Sequence, residues 1–199
     1  MHHTVALAGH GVRLLPLAPL QAEQLFPLID AELWSGMAAR RPECVEELVG
    51  LFVARLDDPA ALPFAVADAY TGSLAGTTGL YELSAQHGRA EIGGTFFGRA
   101  YWGAGINPAS KLLLMGHAFE DIGVSRVAFR VDTRNGRSAK ALLNLGAVYE
   151  GTLREYRPGH DGGRVDTAMF SVLGHEWPEV RGRLLDRLAS RSEAPLDAA

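Results

Sequence analysis

Residues 101–131 read YWGAGINPASKLLLMGHAFEDIGVSRVAFRV. A loop containing Gly103 and Gly105 opens a helix expected over 108–122. Ala109, Leu112, Leu113, Leu114, Met115, Ala118 and Phe119 make that helix apolar on most sides, the pattern of a helix buried against a sheet. Gly123 closes it, and Val127, Phe129 and Val131 then alternate as a strand. Just upstream, Ala90 to Phe97 also reads as a strand. Strand, helix, strand in this order predicts a right-handed crossover between two parallel strands.

Toward the N-terminus, residues 11–17 predict a strand, and 19–31 and 43–56 predict helices. Leu48, Val49, Phe52 and Val53 mark the apolar face of the second, which Asp57-Asp58-Pro59 ends. Strands are expected over 64–67 and 74–83, with turns at Thr71-Gly72 and His87-Gly88. Toward the C-terminus, Ser138, Ala141, Leu142 and Leu145 have helical spacing, with Gly146 as the cap. Strands over 147–157 and 164–173 flank the turn-forming run Pro158 to Gly163, and a last helix is expected over 176–190. The fold class is α+β: a mixed, mostly antiparallel sheet with flanking helices. No repeat or linker divides residues 1–190, which form one expected domain, and 191–199 are expected to be a disordered tail.

The chain has 199 residues, 47% of them hydrophobic, enough for one core without staples. A net charge of −4 weighs against a nucleic-acid binder. No apolar run approaches the roughly 18 residues that span a membrane. The N-terminus lacks the basic stretch and long apolar core of a signal peptide. Cys44 is the one cysteine, so no internal disulfide can form, and a cytoplasmic setting is expected. With no base nearby in sequence, Cys44 reads as a plain thiol. The seven histidines have no zinc spacing, and no metal is expected.

Two segments carry chemistry. In Tyr101-Trp102-Gly103-Ala104-Gly105-Ile106-Asn107-Pro108, glycines let the backbone approach a ligand, and a helix start adds unpaired N–H groups. The same loop reads equally as a tight turn that closes the strand. In Asp132-Thr133-Arg134-Asn135-Gly136-Arg137-Ser138, Asn135 is a natural helix N-cap and Ser138 a first-turn residue. The functional reading has Asn135 holding an amide-bearing ligand and Ser138 offering a hydroxyl. Arg126, Arg130, Arg134, Arg137 and Lys140 make this stretch basic, as solvated surface or as a seat for an anion.

Taken in order, these segments resemble the blocks of the Rim-type GNAT acetyltransferases, which acetylate ribosomal-protein N-termini. The matching residues are Glu91-Ile92-Gly93, Tyr101-Trp102-Gly103-Ala104-Gly105, Ala118-Phe119, Asn135-x-x-Ser138 and the run from Leu145 to Arg154, then Asp166-Thr167 and Glu176-Trp177. The resemblance runs from about residue 10 to 188. It implies the GNAT fold, in which strands 90–97 and 125–131 splay apart and acetyl-CoA, the cosubstrate, lies in the gap. The family's pyrophosphate loop, Gln/Arg-x-x-Gly-x-Gly/Ala, falls on Trp102, Gly103, Ala104, Gly105, Ile106 and Asn107. Gly105 matches, while Trp102 and Asn107 depart from the pattern, so binding is expected through backbone amides. Arg134, Asn135, Arg137, Ser138 and Lys140 are the further cofactor contacts expected.

The implied reaction is direct attack of a primary amine on the thioester. Glu91 is the expected base, acting directly or through water, or else a structural carboxylate. Gly93-Gly94 is expected to free a backbone N–H for the acetyl carbonyl. Ser138, in preference to Tyr149, is expected to assist the departing thiolate. The acceptor is a protein N-terminal α-amine or a small-molecule amine. Asp30, Glu32, Glu46 and Glu47 are either its attractors or ordinary helix charges. A domain that binds acyl-CoA without turnover is the alternative from another class. The apolar share and the resemblance suggest a homodimer.

Overall fold

A computed structural model describes residues 3–192. Eight strands form one sheet in the order β1-β2-β3-β4-β5-β6-β8-β7. They are β1 (Leu7–Gly9), β2 (Val12–Pro16), β3 (Leu62–Asp68), β4 (Leu74–Ser84), β5 (Arg89–Phe97), β6 (Arg126–Asp132), β7 (Val148–Pro158) and β8 (Arg164–Leu173). Every neighbouring pair is antiparallel except β5 and β6, the pair joined by the crossover read from residues 101–131. The short β1 was not expected. His10 and Gly11, both at positive φ, turn it back onto β2 in the way a two-residue hairpin requires.

Helices cover both faces. On one lie α4 (Ile106–Gly116), α5 (Gly136–Leu145) and α6 (Trp177–Ser192), whose Leu114, Met115, Leu142 and Leu184 pack on Phe64, Leu80, Val127 and Phe129. On the other lie α1 (Ala22–Leu25), α2 (Ala31–Trp34) and α3 (Val45–Leu56), packed through Leu25, Trp34, Leu48 and Phe52 onto Ala65 and Phe96. In α3, Leu48, Phe52 and Leu56 recur every four residues on the buried face. Glu46 and Glu47 begin it and Arg55 ends it, each sign matched to the helix dipole.

Three expectations change. The helix expected over 19–31 is broken: tight 3-10 turns at Pro19–Gln21 and Phe26–Leu28 bracket α1, and α2 starts separately, capped by Asp30 accepting from the Leu33 N–H at 2.9 Å. Pro27 has no N–H to continue a helical ladder. The helix expected from 108 starts at Ile106, because Gly105 caps it at φ +87°, and it widens into a π-helix over His117–Ile122. Residues 191 and 192, expected in the tail, still belong to α6, whereas 193–199 lie outside the described residues.

Candidate active site

The parallel pair holds together only where Arg89, Ala90 and Glu91 meet Arg126, Val127 and Ala128. Beyond Glu91 the strands part. A cleft of about 860 Å³ fills the opening and reaches both helical layers, from Met37 and Arg55 on one side to Lys111 and Ser138 on the other.

At the point of parting, β5 is irregular. Gly79 pairs with Gly93, but Thr77 pairs with Phe96, so β5 carries an extra residue there. Gly94 takes φ +59°, which a glycine adopts without strain. The space above it is taken: a Cβ on Gly94 would stand 2.5 Å from the Tyr81 hydroxyl. Thr77 Oγ1 donates to the Gly94 carbonyl at 2.7 Å and holds the bulge.

Glu91 is 8% exposed and lines the cleft beside this bulge. Its Oε2 meets Arg130 Nε at 2.6 Å, and Arg130 also reaches Glu82 at 2.7 Å. Burial pushes the Glu91 carboxyl above its usual range, and the hydrogen bond and charge of Arg130 pull it back. The net shift is upward, so the carboxylate is a stronger base than a free one. Tyr81 stands opposite Glu91 in the ladder, and its buried hydroxyl has no hydrogen-bond partner among the described residues.

The loop ahead of α4 supplies backbone donors. Gly103 and Gly105 both have positive φ. Among the described residues, no group accepts the N–H of Gly103, Gly105, Ile106 or Asn107. Unpaired amides at the start of an 11-residue helix suit an anion. Trp102, Gly103, Gly105 and Asn107 line the cleft. Ala104 is exposed outside it, and the Ile106 side chain is buried in the core at 4% exposure.

Across the cleft, Asn135 Oδ1 accepts the Ser138 N–H at 3.0 Å, the cap its sequence suggested. Asn135, Arg137 and Ser138 line the cleft. Arg137 stacks on Trp102, its guanidinium carbon 3.7 Å from the ring centroid. Trp102 is anchored by donating Nε1–H to the Phe97 carbonyl at 2.7 Å. Trp102 thus holds an arginine of α5 against the loop at the edge of the cleft.

Other expected contacts go elsewhere. Arg134 bonds to the buried Asp132 and, at 2.8 Å, to Asp161, so its guanidinium is committed within the protein. It does not line the cleft, and neither does Lys140. Tyr149 is half-exposed, bonds to Thr152 at 2.8 Å and stands outside the cleft. Asp30 and Glu32 are occupied by Arg99. Glu46, Glu47 and Cys44 do not reach the cleft. Sequence reasoning missed Tyr81 and Lys111. Tyr81 shows only through its register with Glu91. The one available signal for Lys111 was a lysine on an otherwise apolar helix.

Against known sequences, residues 12–148 match the pattern of the acetyltransferase (GNAT) domain. The chain belongs to the GNAT family. A relative from Bacillus licheniformis, the uncharacterized N-acetyltransferase p20, is 34% identical over 107 residues, covering 54% of this chain and 59% of its own. A crystal structure from T. thermophilus, provisionally named an acetyltransferase, is 35% identical with a TM-score of 0.85, covering 94% of this chain and 99% of that one. The fold also matches Mycobacterium smegmatis RimJ in complex with CoA-disulfide, at 21% identity and TM-score 0.79, over 96% of this chain and 98% of that one. The splayed β5–β6 pair and the loop ahead of α4 both lie within the matched residues 12–148. Among the described residues, no group of three or more His, Cys, Asp or Glu could hold a metal ion, and no helix is long and apolar enough to cross a membrane.

Proposed function

We propose that this GNAT protein transfers the acetyl group of acetyl-CoA to a primary amine by direct attack. The observation that carries the proposal is the cleft at the parting of β5 and β6, with a buried, arginine-paired carboxylate beside a glycine bulge. The residues fit the cofactor. The free amides and positive-φ glycines of the 103–107 loop suit its phosphates, with Arg137 alongside. Acetyl-CoA supplies an activated acyl group. Glu91 takes the proton of the amine, directly or through water. The bulge at Gly93-Gly94 takes the backbone out of ladder step, a means by which a strand offers an N–H to an acyl oxygen. Ser138 donates its hydroxyl to the departing thiolate.

The proposed acceptor is a protein N-terminal α-amine. The name of RimJ supports a Rim-type branch, and the cleft wall of Met37, Ala38, Leu51, Tyr156 and Arg157 is large enough for more than a bare amine. The proposed setting is cytoplasmic, and the proposed assembly a homodimer, testable by light scattering. The decisive test of function is amine-dependent thiol release from acetyl-CoA, with a panel of peptides and small amines read for an acetyl mass shift. Release with the peptides supports the reading. Acetylation of small amines alone moves the acceptor class, and binding of CoA with no release under any amine leaves a non-catalytic domain.

A further inference from the structure

The cleft is cationic in a chain whose net charge is −4. Among the described residues, six Lys and Arg side chains line it against three carboxylates, Asp58, Glu82 and Glu91. Arg130 engages two of those carboxylates, Glu82 and Glu91. Asp58 accepts the Ala60 N–H at 2.9 Å. Arg157 of β7 has no such partner. Its one hydrogen bond among the described residues is long, from Nη1 to the carbonyl of the adjacent Pro158 at 3.3 Å. The carboxylates that act on it through space, Asp132 and Glu91, are bonded to Arg134 and Arg130 instead. The side chain is partly buried, and that burial pushes the guanidinium below its ordinary range. A guanidinium drawn out of water is ordinarily paired with an anion, so one left open toward a cavity points to an anionic ligand.

The backbone aims it there. Successive side chains of a regular strand point to opposite faces. In β7 the register shifts between Leu153 and Arg157, and Glu155 takes φ +47°, its N–H bonded to Asp166 at 2.8 Å. The neighbours Tyr156 and Arg157 therefore both turn to the cleft. Tyr156 lies against Arg130, accepting a hydrogen bond from it at 3.1 Å, and Arg130 holds Glu91. That puts Arg157 on the Glu91 side of the cleft, whereas Arg137 is the guanidinium stacked at the loop with the free amides. On the opposite helical layer Arg55 of α3 also lines the cleft with no carboxylate partner among the described residues, reaching only Thr77 Oγ1 at 3.4 Å and the ring of Phe52.

We propose that Arg157, aided by Arg55, binds a carboxylate that the acceptor carries close to its reactive amine. For a protein N-terminus this is an acidic side chain within the first three residues. The two ends of the acceptor then meet opposite charges, the amine at Glu91 and the carboxylate at Arg157. The proposal rests on the acetyl-transfer reading above and narrows its acceptor.

The test is the rate of acetyl transfer, read as a mass shift, to C-terminally amidated peptides that begin with alanine and carry glutamate, glutamine or lysine at the second and third positions. Free alanine and alaninamide are run beside them. Wild type should favour the glutamate over the glutamine peptide about tenfold or more in kcat/KM. Arg157→Met should bring that ratio to within about twofold of unity, and Arg157→Glu should turn the preference to the lysine peptide. Both variants should bind CoA within about twofold of wild type, which also shows that they are folded. Wild type without the glutamate preference, or a preference that survives Arg157→Met, would overturn the proposal. Free alanine outrunning alaninamide and every peptide would support the carboxylate seat but move the acceptor from a protein to an amino acid. Transfer to no amine at all would overturn the acetyl-transfer reading, and the proposal with it.

Discussion

Replacing Lys111 with Met keeps an unbranched side chain, one atom shorter, and removes its charge, so the cost of holding that charge can be read. The Lys111 ammonium falls from 10.5 to about 8 on folding, through burial. Between those values the unfolded chain holds more protons than the native one, so stability rises with pH across the window, and the full penalty stands below about pH 8. That penalty is about 3 kcal/mol at most. Contact with Phe129 returns about 0.5–1 kcal/mol, and water reaching the open side of the cleft lowers the cost further. Lys111→Met should therefore stabilise the apo protein by about 2 kcal/mol at pH 7, or about 4–8 °C in Tm for a chain of this size. At pH 9.5 the advantage should be about halved. Urea unfolding of both proteins at the two pH values measures it. A variant less stable than wild type at pH 7, or an advantage that does not shrink with pH, would refute the reasoning.

Gly94→Ala forces a Cβ to within 2.5 Å of the Tyr81 hydroxyl at a residue with φ +59°. It should cost about 1–3 kcal/mol in denaturant unfolding, partly recovered by adding Tyr81→Phe. Arg134→Ala should lower the melting temperature and leave CoA affinity unchanged, because its guanidinium serves Asp132 and Asp161. Arg137→Ala should do the reverse, weakening CoA in a binding titration. Arg130→Met removes the cation that opposes burial at Glu91, so the acidic limb of the kcat/KM profile should move to higher pH. A limb that stays in place would separate Glu91 from that limb.

The second half of the fold was legible because its signals are local. Val127, Phe129 and Val131 alternate, the 108–122 run is apolar on most sides, and Gly105 and Gly146 sit where helices start and stop. The first half was less so. Residues 19–31 have helical composition, but Pro27 interrupts the ladder and tertiary packing on α3 decides the outcome. At the site, Glu91, Trp102, Gly105, Asn135 and Ser138 were recognisable from the order of the blocks, and all five line one cleft. The basic run divides. Its positive charge looks uniform in sequence, but Arg134 turns to the buried Asp132 two residues earlier, Arg126 pairs with Glu150, and of the run only Arg130, held by Glu82 and Glu91, and Arg137 line the cleft. Those partners are set by β7, by the hairpin loop and by the direction of each side chain, none of which spacing reveals. Tyr81 and Lys111 escaped for a related reason: what singles them out is a missing partner.

Direct attack assisted by a buried carboxylate is tested by the pH–rate profile of Glu91→Gln, measured as thiol release with an acceptor found in the mass-shift screen. The substitution keeps the shape and removes the base. Turnover at neutral pH should fall by about 10²–10⁴-fold, with CoA affinity nearly unchanged, and the deficit should narrow as pH rises and more of the amine is already neutral. A Glu91→Gln profile that overlays the wild type would contradict the account and leave Glu91 a structural partner of Arg130.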